Sequence, residues 1–349
     1  MSADRSIAKS GPGRARTEIA AWRKRLSISA AVYEKVALAA LVTLTLIVFS
    51  GAAVRLTGSG LGCSDWPRCT STSLQPPLNT YSLIEFSNRI FVVLVTIAAL
   101  AAWLGTYLRR PLWPRRRDLR LLGASLPLGV LLQAVIGGES VLYKLAPVWV
   151  MAHYWVSMVI LVAAFELWHR SRLEPEELGR PGADRWTVLY VRALVVVAAG
   201  VLVLGSVATA AGPHAGASGT GQLVHRLGWW GSETLARLVV AHGLLVTSLG
   251  LATVGAWWVA RQRAAVPELV RTLTFVCLLL AAQGFVGITQ YALALPTEIV
   301  WVHVVLATLT WVGYVHAWVA AGPLPRSRPR SPGRQGSPPR PAPRPSATR

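Results

Sequence analysis

Residues 35–54 read KVALAALVTLTLIVFSGAAV, with Lys35 as the only charged side chain in the stretch. A helix needs roughly 20 apolar residues to cross the hydrocarbon core of a bilayer, so this stretch predicts a membrane span. The polar and basic residues before it run straight into the span, so no cleavable signal peptide is predicted. Similar stretches recur along the chain. The predicted spans are residues 35–54, 82–104, 120–138, 147–167, 189–211, 235–257, 270–290 and 297–319.

The composition agrees with a chain that lies mostly in the membrane. Of the 349 residues, 53% are hydrophobic and 14% are charged, with a mean hydropathy of +0.46. An average soluble domain has about 25% charged residues, which argues against an ordinary soluble enzyme. We therefore predict an all-α integral membrane protein with eight transmembrane helices.

The net charge of +20 is concentrated outside the apolar stretches. Residues 1–25 contribute +5 and residues 322–349 contribute +7. Most other Lys and Arg residues fall in every second loop. Loops rich in Lys and Arg lie on the cytoplasmic side of a membrane protein. Both termini are therefore predicted to be cytoplasmic, and a nucleic-acid partner is not. The predicted non-membrane segments are the basic residues 1–34, the outer loops 55–81, 139–146, 212–234 and 291–296, and a disordered Pro/Arg-rich tail at 322–349.

Two ungapped alignments relate the first half of the chain to the second. At an offset of 150 the pairs are Gln133 with Gln283, Gly137 with Gly287, and His153 with His303; at an offset of 154 they are Gly51 with Gly205, Gly58 with Gly212, and Asn88 with His242. Repeats with an even number of spans share one orientation in the membrane. The alignments predict two pseudo-symmetric four-helix bundles, at residues 35–167 and 189–319.

Three histidines lie one to two turns inside the outer ends of even-numbered predicted spans: His153, His242 and His303. Ionisable residues at that depth are costly, so each is a candidate functional residue. His242 and His303 belong to one bundle and could bind the two faces of a haem iron. Structural zinc would need three or four ligands, whereas each half offers at most two, so haem is favoured.

The first bundle differs in its polar residues. Asn88 takes the place that corresponds to His242, and Asn is a poor iron ligand, so His153 alone would hold a haem there. Glu85 and Arg89 flank Asn88 within about one helical turn on either side. Two interpretations of Glu85 stay open: a structural ion pair with Arg89, or an acid/base group beside the ligand.

Cys63 and Cys69 lie in the first predicted outer loop, in the sequence GLGCSDWPRC. An oxidising compartment favours a disulfide between them. The pair is either a simple staple of the loop or a redox-active pair that exchanges with an outer thiol–disulfide oxidoreductase.

Two motifs are the most specific features of the chain: GAAVRLTGSGLGCSDWPRC at residues 51–69 and IEFSNR at residues 84–89. With the three histidines and the four-plus-four repeat, they closely resemble the haem A synthase family over roughly residues 35–320. The resemblance implies a membrane oxidoreductase that converts haem O to haem A for cytochrome oxidase assembly. Its chemistry would be oxidation of one porphyrin methyl through an alcohol to an aldehyde.

The resemblance also implies roles for individual residues. Haem b would be the cofactor between His242 and His303, and haem O would bind as substrate near His153. Glu85 matches the family's essential carboxylate, and the two outer cysteines match the family's cysteine pair. One position departs, because the family pattern Glu-x-x-His-Arg has Asn88 in place of His. Asn88 is then a candidate to hydrogen-bond a propionate, a water or an oxygen species at the iron.

The resemblance also implies partners, and the charge pattern of the loops predicts the side of the membrane on which the site lies. Haem O and the haem O synthase that makes it would be partners, together with an electron acceptor or donor of unidentified nature. The expected location is a bacterial-type plasma membrane, with the haem sites toward the outer face. Two other hypotheses are a bis-His cytochrome b that only transfers electrons and a transporter built from repeats. The oligomeric state is left open.

Overall fold

The computed structural model describes residue 21, residues 25–110 and residues 116–325. Most of the predicted basic segment 1–34, and the predicted tail from residue 326 onward, lie outside these described residues. Eight long α-helices make up the described part: α1 Ala30–Leu56, α2 Thr80–Leu108, α3 Arg117–Leu142, α4 Pro147–Ser171, α5 Arg185–Ala211, α6 Thr234–Gln262, α7 Pro267–Ala292 and α8 Thr297–Ala321. Two 3-10 turns, Ser218–Thr220 and Gly231–Glu233, precede α6.

All eight helices are long and apolar enough to cross a membrane. Each contains one of the predicted spans and extends a few residues beyond the apolar stretch. Helices of 25–29 residues are roughly 38–44 Å long, so they reach past a hydrocarbon core about 30 Å thick. The prediction of an all-α, multi-pass membrane protein is confirmed.

The helices form two closed rings of four. In ring 1, α1 contacts α2, α2 contacts α3, α3 contacts α4, and α4 returns to α1. Helices α5 to α8 close ring 2 in the same order. The rings meet where α1 and α4 contact α8, and where α4 contacts α5.

Three tryptophans fasten this seam between the rings. Trp155 of α4 donates its indole N–H to Ser206 Oγ of α5, at 2.8 Å. Trp311 of α8 donates to the carbonyl of Met158 in α4, at 3.0 Å. The third indole, on Trp301 of α8, donates to the Phe49 carbonyl of α1 at 3.0 Å. An apolar core that includes residues of both rings fills the space around these bonds.

The turn between α3 and α4 has the same backbone as the turn between α7 and α8. Lys144 and Leu145 both have positive φ, at 49° and 57°. Ala294 and Leu295, 150 residues later, have φ of 60° and 64°. Non-glycine residues seldom adopt this left-handed region, so two such pairs in register are informative. The offset of 150 found in the sequence therefore extends to backbone geometry.

The loop after α1 is fastened to the loop after α5. Arg55 donates from Nε to the His214 carbonyl at 3.0 Å, and Gly60 N–H donates to the Gly216 carbonyl at 2.8 Å. Gly58 has φ of +71°, and a Cβ there would lie 2.4 Å from Ser218 Oγ. Only glycine suits this position, because the backbone there is left-handed and a side chain would contact Ser218 too closely.

Asp184 caps the N-terminus of α5. Its carboxylate accepts from the Trp186 N–H at 3.0 Å and from Arg263 Nη1 at 2.9 Å. Desolvation opposes its ionisation, but hydrogen bonds from Thr187, Trp186 and Arg263 hold its pKa below the ordinary value. This is the helix-capping arrangement that Ser, Thr, Asp and Asn provide.

We expect Asp184→Ala to lower the free energy of unfolding by about 1 kcal/mol, because the cap of α5 is lost. Denaturant unfolding in detergent micelles measures this difference, with the exposed Glu176→Ala as control. Because the folded-state pKa is lowered, the stabilisation is complete above the ordinary aspartate pKa and is lost as the pH falls through the lowered value. The gap between wild type and Asp184→Ala should therefore close in acid; a gap that persists there contradicts the proposed cause.

Candidate functional site

The residues singled out in the sequence lie at one end of the molecule. Each is in the first three turns of an even-numbered helix, and all four of these helices begin at the same end. Ring 1 holds Glu85, Asn88 and Arg89 on α2 and His153 on α4; ring 2 holds His242 on α6 and His303 on α8. The Cys63–Cys69 loop lies at this end too, because it joins α1 to α2.

His242 and His303 face each other across ring 2. Their ring centroids are 6.5 Å apart and their planes are inclined by 63°. Two imidazoles on opposite sides of one metal, with bonds of about 2.0 Å, have centroids roughly 6 Å apart. In the described residues, no group of three or more His, Cys, Asp or Glu side chains could hold a metal ion. The 6.5 Å separation of the two imidazoles fits two axial ligands of a haem iron.

Each histidine packs against a glycine of the preceding helix. A Cβ on the glycine would lie 2.9–3.2 Å from the imidazole Cε1, closer than a side chain normally allows. The pairs are Gly137 with His153, Gly205 with His242, and Gly287 with His303. These glycines were visible in the sequence as repeat positions, and the structure shows that they make room for the rings.

Two glutamines lie one helical turn before these glycines, and each hydrogen-bonds to the backbone of a histidine. Gln133 Nε2 donates to the His153 carbonyl at 2.9 Å, and Gln283 Nε2 donates to the His303 carbonyl at 3.1 Å. The repeat alignment detected both glutamines, but it gave no indication of this contact. The shared bond fixes the backbone of α4 and α8 at the histidine.

The orientation of the imidazoles leaves Nε2 as the available nitrogen. In His153 and His303 the Cε1–Nδ1 edge lies over the glycine, whereas Nε2 is farther away. The Nδ1 atoms of His153 and His303 are buried, and no described group hydrogen-bonds to them. The imidazole of His242 differs, because the Val201 backbone of α5 lies within hydrogen-bonding reach of it. Metal-bound histidine uses one ring nitrogen and keeps the proton on the other. The residues present therefore fit haem iron bound at Nε2.

Ring 1 has no second imidazole opposite His153. Asn88 holds the position that corresponds to His242 at the offset of 154, and its Oδ1 accepts a hydrogen bond from Ser50 Oγ of α1 at 2.7 Å. Sequence reasoning did not single out Ser50, because a lone serine in an apolar span carries no distinctive pattern.

Glu85 is the buried carboxylate of ring 1, with 5% of its surface exposed. Oε2 accepts the Cys63 backbone N–H at 2.7 Å, and Oε1 accepts Arg89 Nη2 at 2.6 Å. Arg89 Nη1 in turn donates to the carbonyls of Asp65 and Arg68, at 3.1 and 3.0 Å. The ion pair considered in the sequence is therefore present, and it also joins the carboxylate to the cysteine loop.

Cys63 and Cys69 form a disulfide, as predicted, and both are buried. The loop that they close also reaches α3, where the ring of Trp66 covers Gly138; a Cβ there would lie 2.8 Å from the indole. Gly138 follows the glycine that contacts His153. The disulfide loop therefore extends over ring 1 from Glu85 on α2 to the neighbourhood of His153.

A cavity of about 570 Å³ opens at the same end of ring 2. It lies between the loop after α5 and the ends of α6 and α7, and Arg226 is its cationic residue. Arg226 donates from Nη2 to the Pro213 carbonyl at 2.9 Å. His242 lies two turns below Leu235 of the cavity wall.

Comparisons with known proteins show which proteins the chain is similar to. The model of the cytochrome oxidase assembly protein family matches residues 34–315. A haem A synthase of Lysinibacillus sphaericus is 32% identical over 132 residues, covering 38% of this chain and 42% of that protein. A haem A synthase of Bacillus pumilus is 30% identical over 134 residues, covering 37% and 43%.

One further relative carries a different name. A protohaem IX farnesyltransferase of Thermus thermophilus is 28% identical over 284 residues, covering 77% of this chain and 45% of that protein. The chain thus spans less than half the length of each of these three relatives.

Proposed function

Because the chain belongs to the cytochrome oxidase assembly protein family, we propose that it is a haem A synthase, a membrane oxidoreductase that converts haem O to haem A. Ring 2 binds haem b as a cofactor, and ring 1 binds haem O as the substrate. The names of several relatives support the reaction.

One observation carries this proposal: Glu85 and Arg89 of ring 1 have no polar counterparts in ring 2. At the offset of 154, Glu85 corresponds to Val239, and Arg89 corresponds to Gly243. Ring 2 has two histidines, and an apolar valine stands where ring 1 has Glu85, which suits a haem that only passes electrons. Ring 1 has one histidine and a buried carboxylate, which suits a haem that is itself chemically altered.

The haem groups supply the redox chemistry that turns a porphyrin methyl into a formyl group. His242 and His303 hold the cofactor in ring 2, and His153 holds the substrate in ring 1. Arg226, at the cavity of ring 2, offers a cation to a propionate.

Glu85 is the proposed proton acceptor of ring 1, and in its ionised form it also stabilises positive charge that develops on the reacting carbon. Arg89 and the Cys63 N–H hold the carboxylate in one position through both of its oxygens. The disulfide loop lies over the same carboxylate and limits the access of water to it. Asn88 completes the catalytic set as a hydrogen-bonding group next to the substrate iron.

The partners and the location are part of the proposal. Haem O arrives from a haem O synthase, which the farnesyltransferase relative supports. The electron partner stays unidentified, and a thiol–disulfide oxidoreductase is the candidate partner of the cysteine pair. The alternation of Lys and Arg between loops supports cytoplasmic termini and a site on the outer face of a bacterial plasma membrane.

Co-expression with a haem O synthase, in a host without its own haem A synthase, tests the reaction. We expect haem A in the pigment extracted from the membranes and identified by mass, and only haem O in cells that carry the empty vector. If haem O alone is recovered while the chain is present and loaded with haem, the protein is an electron-transfer cytochrome and the proposal is wrong.

A further inference from the structure

Four positions of the two rings are equivalent, and three of them hold an imidazole. His153, His242 and His303 each occupy the space next to a glycine of the preceding helix. The fourth glycine is Gly51 of α1, which corresponds to Gly205 at the offset of 154. No atom outside its own helix backbone lies within 4 Å of a Cβ placed on Gly51. The space that an imidazole fills at the other three positions is open here.

This open space faces the interior of ring 1. Gly51 continues the buried stripe of α1 formed by Tyr33, Ala37, Ala40 and Leu44, at the spacing of successive helical turns. The equivalent stripe of α5 includes the buried residues Leu194, Ala198 and Ala208 around Gly205. The two stripes match at the offset of 154. Gly51 therefore lies on the same face of α1 as Gly205 does on α5, where Gly205 faces His242.

Asn88 borders the space but does not fill it. Its Oδ1 accepts the Ser50 hydroxyl, and no described residue accepts a hydrogen bond from its amide nitrogen. That NH2 group is a donor without a protein partner beside an open imidazole position. The nearest cation on the same helix, Arg89, is already bound to Glu85 and to two loop carbonyls.

We propose that Gly51 and Asn88 form a pocket for a small uncharged ligand of the iron of the ring 1 haem. This inference rests on the proposed function, since it needs a haem held by His153. The ligand belongs to the class of dioxygen and other molecules of a few atoms, because the pocket has the space of a missing imidazole. It is uncharged because a neutral amide is the donor that faces it, and its acceptor atom receives that N–H.

Carbon monoxide is a suitable probe, because it binds reduced haem only where an axial position is open. The purified protein, loaded with haem in both rings and reduced, is titrated with CO and followed by visible absorption. We expect CO to change the spectrum of about half of the bound haem, since His242 and His303 occupy both axial positions in ring 2. If the CO-binding haem is lost in His153→Ala, that haem belongs to ring 1.

Asn88→His should close the pocket by restoring the missing imidazole. The open space at Gly51 admits the ring, so we expect a low-spin spectrum for the ring 1 haem and a CO affinity lower by roughly tenfold or more. Gly51→Leu should also weaken CO binding, by occupying the space, but without conversion to low spin.

A matched pair of variants tests the geometry separately from ligand binding. Gly51→Ala should leave the haem spectrum unchanged, whereas Gly205→Ala should disturb the low-spin spectrum of ring 2, since its Cβ would lie 2.9 Å from His242 Cε1. If CO does not bind to the fully loaded wild type, or binds equally well to Asn88→His, the proposed pocket is wrong. The proposed function is not affected by either result. If His153→Ala does not lower the haem content, ring 1 does not bind haem through His153. The proposed function is then wrong as well.

Discussion

Replacing Glu85 by Gln is expected to lower haem A formation by about 100-fold or more, the range in which a positioned proton acceptor contributes. Gln keeps the size of the side chain and can still accept the Cys63 N–H, but it cannot take up a proton or balance positive charge. The haem content should stay the same, because no axial ligand is changed. Pigment analysis of membranes that contain equal amounts of protein measures the loss, and absorption spectra measure the haem.

Glu233→Gln is the matched control for this change. Glu233 forms an i,i+4 ion pair with Arg237 at 2.6 Å, the same distance and spacing as Glu85 with Arg89. The control pair is exposed and lies in ring 2, so its loss should leave haem A formation unaltered. Full haem A formation in Glu85→Gln would reduce Glu85 to the structural ion pair that the sequence also allowed.

Replacing His242 by Ala is expected to remove the low-spin haem of ring 2 and to lower haem A formation by roughly tenfold or more. The variant leaves His303 as the only imidazole of that ring, so one axial position of the cofactor is lost. We expect the bound haem to fall by about one per chain, or to become high-spin. Electron paramagnetic resonance of the oxidised protein separates these two results.

His225→Ala is the control for this second variant, because His225 lies exposed in the loop after α5. Its replacement should leave the low-spin signal intact. A low-spin signal that survives in His242→Ala at full intensity would show that the 6.5 Å pair is not the axial pair of the cofactor.

The membrane architecture could be predicted from the sequence because each span is specified locally. An apolar stretch of the required length is sufficient, and all eight predicted spans lie inside observed helices. The depth of the histidines could also be predicted, since it follows from their distance to the helix ends. The match between Gly51 and Gly205 was visible for the same reason, as a spacing within the chain.

The contacts that shape the site could not be predicted in this way. The bond from Cys63 N–H to Glu85 depends on the path of a loop, and loops have no periodic pattern that fixes their path. Arg55 shows the same limit, because its partners Thr209 and His214 lie about 150 residues away in the other ring. A repeat alignment identifies equivalent positions, but it does not show which side chains cross between the copies.

The tryptophan seam has a consequence for electron transfer between the haems. Trp155, Trp301 and Trp311 bond each ring to the other at three levels, and close-packed apolar side chains surround them. Packed interiors of this kind resist continuous deformation. If each ring holds a haem as proposed, the scaffold therefore sets the distance across which an electron would tunnel between the two porphyrins.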